Sequence, residues 1–219
     1  MSSTIDTVLQ DEELILRWLP GSTRRMVVVF TGLKAGFGGA PLDEFAGSAS
    51  DKGKNNVLFV TDRRATWFAA PGLWRRIVKL IRYLRKSERI DEIVTLGNSM
   101  GGFGALLLPR DVRVRRAIAF SPQLTMDRTL MDDTRWPDIK DKFGDLPVDN
   151  VGGCREDVAH LDFAPEMNRV HRFVLPKGRH NIAGALKDAG LLSDVIGAII
   201  RGRKTRVERL YAEYAEGVA

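Results

Sequence analysis

The residues with the clearest chemical potential are Gly97-Asn98-Ser99-Met100-Gly101. A serine hydroxyl is a weak nucleophile until a base takes its proton and donors stabilise the product of its attack. A Gly-x-Ser-x-Gly pentad gives the setting for both when a strand runs into it and a helix leaves it. The serine then occupies a strained turn, and its small neighbours let strand and helix approach. Here Ile93-Val-Thr-Leu96 runs in, and Gly101-Gly-Phe-Gly-Ala-Leu-Leu-Leu108 runs out. The composition yields such a pentad roughly 0.08 times by chance, so the strand–turn–helix context carries the assignment. The competing reading is a glycine-rich turn without chemistry. Met100 is expected to open the helix, with its N–H aimed at an oxyanion developing beside Ser99.

A nucleophilic serine needs a base, and three histidines are available: His160, His171 and His180. His180 follows the apolar run Val170–Leu175 through Pro176-Lys-Gly-Arg179. That is where a histidine following the last strand belongs in the order Ser, acid, His. His171 lies within the run and His160 in a helix-compatible stretch, so both read as structural or surface residues. The acid must accept a bond from the imidazole Nδ1–H. Asp149 is preferred, since the 31 residues to His180 leave room for a loop, a helix and a strand. Asp157 competes, although it also suits a helix N-cap, and Asp127 is a third choice. A second oxyanion donor should come from the loop after Met26–Phe30, where Leu33 N–H is the best placed.

These residues need a scaffold. Met26–Phe30, Val57–Val60, Ile93–Leu96, Ala117–Phe120 and Val170–Leu175 are short runs of continuous apolar character, as expected of strands buried on both faces of a parallel sheet. Leu73, Ile77, Leu80, Ile81 and Leu84 fall on one helical face, and Pro71-Gly72 marks the start. Helices are also expected over 101–108, 181–189, 191–200 and 203–215. Alternating strands and helices predict an α/β fold with a mostly parallel central sheet and helices on both faces. Residues 1–219 read as one domain. Residues 121–153 are the least regular and are where a short lid would sit; Leu124, Met126, Leu130, Met131 and Trp136 would line an acyl pocket or cover the sheet edge.

Composition narrows the field. At 219 residues, 44% hydrophobic and 28% charged, the chain can bury a core without a staple. One cysteine, Cys154, excludes an internal disulfide, and no cofactor or metal is expected. There is no secretory leader pattern and no run long enough for a transmembrane helix, so a cytoplasmic location is expected. The net charge of +6 is local: residues 75–89 hold seven basic groups and one acid, and residues 201–209 hold five and one. A basic C-terminal helix over 201–219 follows. Such stretches read first as solvated helix faces, with a docking face as the other reading. No stacking aromatics interleave them, so nucleic acid is not an expected partner.

Phe30-Thr-Gly-Leu33, Leu96-Gly-Asn-Ser-Met-Gly-Gly102 and Gly178-Arg-His-Asn181 together give the chain a resemblance to the α/β-hydrolase superfamily, here with a minimal cap or none. The resemblance implies a Ser99–His180–acid triad acting on an ester, thioester or amide through an acyl-enzyme. The chain departs from the family pattern in having Thr31-Gly32 where His-Gly is more usual. It also has only a weak strand ahead of the acid. A binding or scaffold protein on a degenerate hydrolase fold is therefore the alternative.

Overall fold

The computed structural model describes residues 4–32, 43–124, 173 and 182–217. Among these, six strands form one sheet: β1 (Asp6–Gln10), β2 (Leu14–Leu19), β3 (Arg25–Phe30), β4 (Asn56–Asp62), β5 (Glu92–Asn98) and β6 (Arg116–Phe120). Their spatial order is β1-β2-β4-β3-β5-β6. β3 pairs in parallel with both β4 and β5, and β5 pairs in parallel with β6. β1 and β2 form an antiparallel pair, and β2 adds antiparallel to β4. The sheet is thus mostly parallel, as expected, with an antiparallel flank that the sequence reading did not include. β1 is a largely exposed edge strand without an apolar face, which is why no periodicity marks it.

The strand cores are apolar because both faces are covered. Leu14, Leu16, Met26, Val28, Phe30, Leu58 and Val60 face helices α2 (Leu73–Ser87) and α3 (Met100–Leu107). Val27, Val29, Val57, Phe59, Val94, Leu96 and Ile118 face the opposite layer. That layer holds α1 (Ala46–Ser50), α4 (Ile182–Asp188), α5 (Leu192–Ile200) and α6 (Lys204–Gly217). Alternate residues of one strand serve opposite faces, which follows from the two-residue repeat of a strand.

α2 begins after Gly72, which takes φ 81° as its N-cap, and it buries Leu73, Ile77, Val78, Ile81 and Leu84. Each such side chain contributes roughly 1.5–3 kcal/mol on burial. Val78 is buried where the spacing argument named Leu80, which packs at the margin. The basic groups occupy the other side of the helix. Arg76 pairs with Asp11, which also caps the β1–β2 turn by accepting from the Glu13 and Leu14 N–H groups at 2.9 Å. The guanidinium and these N–H groups hold the Asp11 carboxyl down to about 2. Because α2 and α6 cover opposite faces of the sheet, the two basic stretches do not join into one docking face.

At the carboxyl end of β4, Asp62 shapes the turn that supports α3. Its carboxylate accepts from Arg64 N at 3.0 Å, Thr66 N at 2.7 Å and Phe68 N at 2.9 Å. Phe68 is thereby set edge-on to Phe30, with ring centroids 5.2 Å apart. The two rings fill the space beside Gly104 of α3. Thr95 of β5 donates to the Ala105 carbonyl at 2.7 Å, a buried tie between strand and helix.

Candidate functional site

β3 sends its chain first to β4 on one side and later, through α2, to β5 on the other. This is a switch point, and the crevice outside the carboxyl ends of β3 and β5 is where ligands bind in open α/β sheets. Phe30-Thr31-Gly32 ends β3 there, and Asn98-Ser99 ends β5.

Ser99 stands between β5 and α3 with φ 55° and ψ −121°. A non-glycine residue in that region is strained by roughly 1–3 kcal/mol and persists only when its surroundings impose it. Here they do. Ser99 N–H donates to the Phe120 carbonyl at 2.9 Å, extending the β5–β6 ladder by one residue. The Ser99 carbonyl accepts from Phe103 N–H at 3.1 Å, starting the α3 hydrogen bonds. One residue therefore ends a strand and begins a helix.

The glycines explain why the turn closes. A Cβ on Gly97 would overlap the Gly101 carbonyl, and one on Gly101 would overlap the Phe30 carbonyl. A Cβ on Gly102 would come 2.9 Å from the Pro122 Cβ. The turn is a sharp bend, an elbow in shape, between β5 and α3, wedged against the ends of both β3 and β6. Met100 is the first residue of α3 and is buried, so its N–H belongs to the first turn, which has no intrahelical acceptor. Ser99 thus lies between a strand and a helix, with Met100 as the first residue of that helix.

Gly32 lies beside the elbow: a Cβ on it would approach the Asn98 carbonyl to 3.1 Å. Its N–H is already used, donating to Glu44 Oε2 at 2.9 Å. Glu44 follows the 33–42 segment, so this bond ties the two ends of that segment together. Burial pushes the Glu44 carboxyl up from its ordinary value, opposed by the Gly32 N–H. Nothing in the sequence marked Glu44.

Gln123 is also new. It lies three residues past β6 and is 1% exposed. Ser99 Oγ donates to its Oε1 at 3.4 Å, which is long for a hydroxyl hydrogen bond. Its Nε2 is buried without a hydrogen-bond partner, as are Ser121 Oγ and Asn98 Oδ1. A polar residue just past the strand adjoining the elbow strand was the available clue, but the strand order had to be known to use it.

His180, Asp149, Asp157, Asp127 and Leu33 lie outside the described residues, as do His160, His171 and Cys154. The 121–153 segment is described only through Leu124, and the 170–175 run only at Phe173, whose ring stacks on Tyr211 of α6 at 4.6 Å. Burial pushes the Tyr211 hydroxyl up to about 12. Among the described residues, no helix is long and apolar enough to cross a membrane.

No protein-family model matches the chain, and no curated protein matches it significantly. Solved structures do. The capsule O-acetyltransferase of Neisseria meningitidis serogroup A superposes with a TM-score of 0.59 at 14% identity, over 89% of this chain and 94% of that one. A serine hydrolase without a lid from Xanthomonas campestris gives 0.55 at 14% identity, over 93% and 94%. Est1E from Butyrivibrio proteoclasticus gives 0.54 at 14% identity, over 90% and 100%. These likenesses show the fold that the pentad and its flanking runs suggested, that of the α/β-hydrolases.

Proposed function

We propose that this chain, built on the α/β-hydrolase fold, is a serine hydrolase that cleaves a small ester or thioester through an acyl-enzyme on Ser99. The observation that carries the reading is the Ser99 backbone, φ 55° and ψ −121°, at the carboxyl edge of the sheet where the strand order switches. Strain of that kind at a binding crevice is retained for a purpose. The lidless serine hydrolase and Est1E, with the same fold, support the assignment.

In this reading Ser99 Oγ attacks the acyl carbon while His180 takes its proton. The Met100 N–H and the Leu33 N–H receive the oxyanion. His180 returns the proton to the leaving oxygen or sulfur, the tetrahedral adduct collapses, and the acyl group stays on Ser99. Water, activated by His180, then releases it. Asp149, with Asp157 and Asp127 as alternates, would fix the imidazole tautomer. An alcohol in place of water would make the same acyl-enzyme a transferase. The acetyltransferase similarity is the observation favouring that second reading.

A fluorophosphonate probe tests the proposal. Wild type is expected to be labelled and to turn over p-nitrophenyl acetate, and Ser99→Ala to lose both. Of Asp149→Asn, Asp157→Asn and Asp127→Asn, only one should lower kcat steeply, by about 10⁴ if the acid acts as in well-studied triads. Folded wild-type protein that neither labels nor turns over ester would leave the scaffold reading in its place.

A further inference from the structure

We infer that Gln123 belongs to the machinery of Ser99, as a residue whose side-chain amide donates a hydrogen bond to an oxygen of the substrate bound there. The inference rests on the serine-hydrolase reading and adds a residue to it.

Three observations carry it. First, the Gln123 amide is beside the nucleophile, with Oε1 3.4 Å from Ser99 Oγ. Second, Nε2 is buried without a hydrogen-bond partner, in a residue that is 1% exposed. An unmade donor in such a place is costly, and a bound ligand that accepts from it removes that cost. Third, the backbone holds it rigidly. Ser121 takes φ 41° immediately before Pro122, a conformation that a pre-proline residue disfavours. Pro122 packs against Gly102 of α3, so closely that a Cβ there would need movement. The Ser121-Pro122-Gln123 segment is thus keyed to the helix that presents Ser99.

The amide suits two stages of a reaction. At rest, Oε1 accepts the Ser99 proton in a long bond that a base can displace. When substrate enters, Nε2 donates to an oxygen on the acyl carbon or to the leaving oxygen. A half-turn of the amide exchanges the two roles without moving the backbone. Two more unpartnered atoms, Ser121 Oγ and Asn98 Oδ1, lie at the same strand ends.

The test compares wild type, Gln123→Met and Gln123→Glu by rate of fluorophosphonate labelling and by p-nitrophenyl acetate kinetics, with melting curves as a check on folding. Gln123→Met keeps the shape and removes the donor; its labelling rate should fall by about 10²-fold, the usual loss for one such donor. Gln123→Glu is near-isosteric and should be slow at pH 8. Its rate relative to wild type should rise as the pH falls and the carboxyl regains a proton to donate. A filler of space would show no such pH-dependent ratio. Wild-type rates in Gln123→Met, or a flat ratio in Gln123→Glu, would overturn the role of Gln123 while leaving the serine reading standing. Unlabelled wild type overturns both.

Discussion

At the scale of the residue, the energetics of Ser99 oppose the chemistry proposed for it. With φ 55° it sits where glycine is comfortable and a Cβ is not. Alanine keeps the Cβ and the strain; glycine releases it. Ser99→Gly is therefore expected to be inactive and yet more stable than Ser99→Ala by about 1 kcal/mol, after the extra chain entropy of glycine is deducted. In a chain of this size that is a rise in Tm of about 2–4 °C. Equal melting temperatures for the two variants would mean that the elbow is relaxed. Glu44 shows a different economy of groups. By accepting from Gly32 N–H it occupies that amide, so in the proposed mechanism Gly32 N–H is not the donor to an oxyanion.

At the scale of the element, the elbow depends on three backbones meeting without side chains between them. Gly101 sits directly on the Phe30 carbonyl, so a methyl group there must push α3 off the end of β3. Gly101→Ala is expected to lose about 1–3 kcal/mol, the cost of overpacking, and to lose labelling of Ser99 with it. Gly47 in α1 meets nothing within 4 Å, and Gly47→Ala should leave stability unchanged or slightly improved, as measured by urea unfolding. These elements were legible in the sequence to different degrees. The pentad, the four strands β3 to β6 and the amphipathic α2 announce themselves through glycine spacing and apolar periodicity. β1 and β2 do not. β1 is an exposed edge with no face to bury, and β2 is held by its ladder to β4 as much as by its pattern. Gln123 was illegible for another reason. A single amide carries no periodicity, and its meaning appears only when β6 is seen to lie beside β5.

At the scale of the whole molecule, the arrangement of charge and layers separates surface properties from chemistry. The basic side of α2 and the basic start of α6 are on opposite faces of the sheet, and Glu208, Glu213 and Glu216 offset the charge of α6 along its length. The basic excess thus lies along α2 and around the start of α6, away from Ser99 in the sequence. The central place of β3 has a consequence for how the chain is made. Val27 needs Val57 on one side and Val94 on the other, so the middle of the sheet is finished only after most of the described N-terminal half has been synthesised. Until β5 emerges, Met26–Phe30 presents an open parallel edge of wholly apolar residues, the kind of edge that recruits other chains. A fragment ending at residue 91 is expected to sediment as aggregate under conditions in which the full chain stays dispersed. A soluble, monomeric fragment would show that the growing chain shields β3 before its partner arrives. The strand order that creates the crevice also obliges a nascent chain to wait, with its most adhesive strand exposed, for the segment that carries the serine.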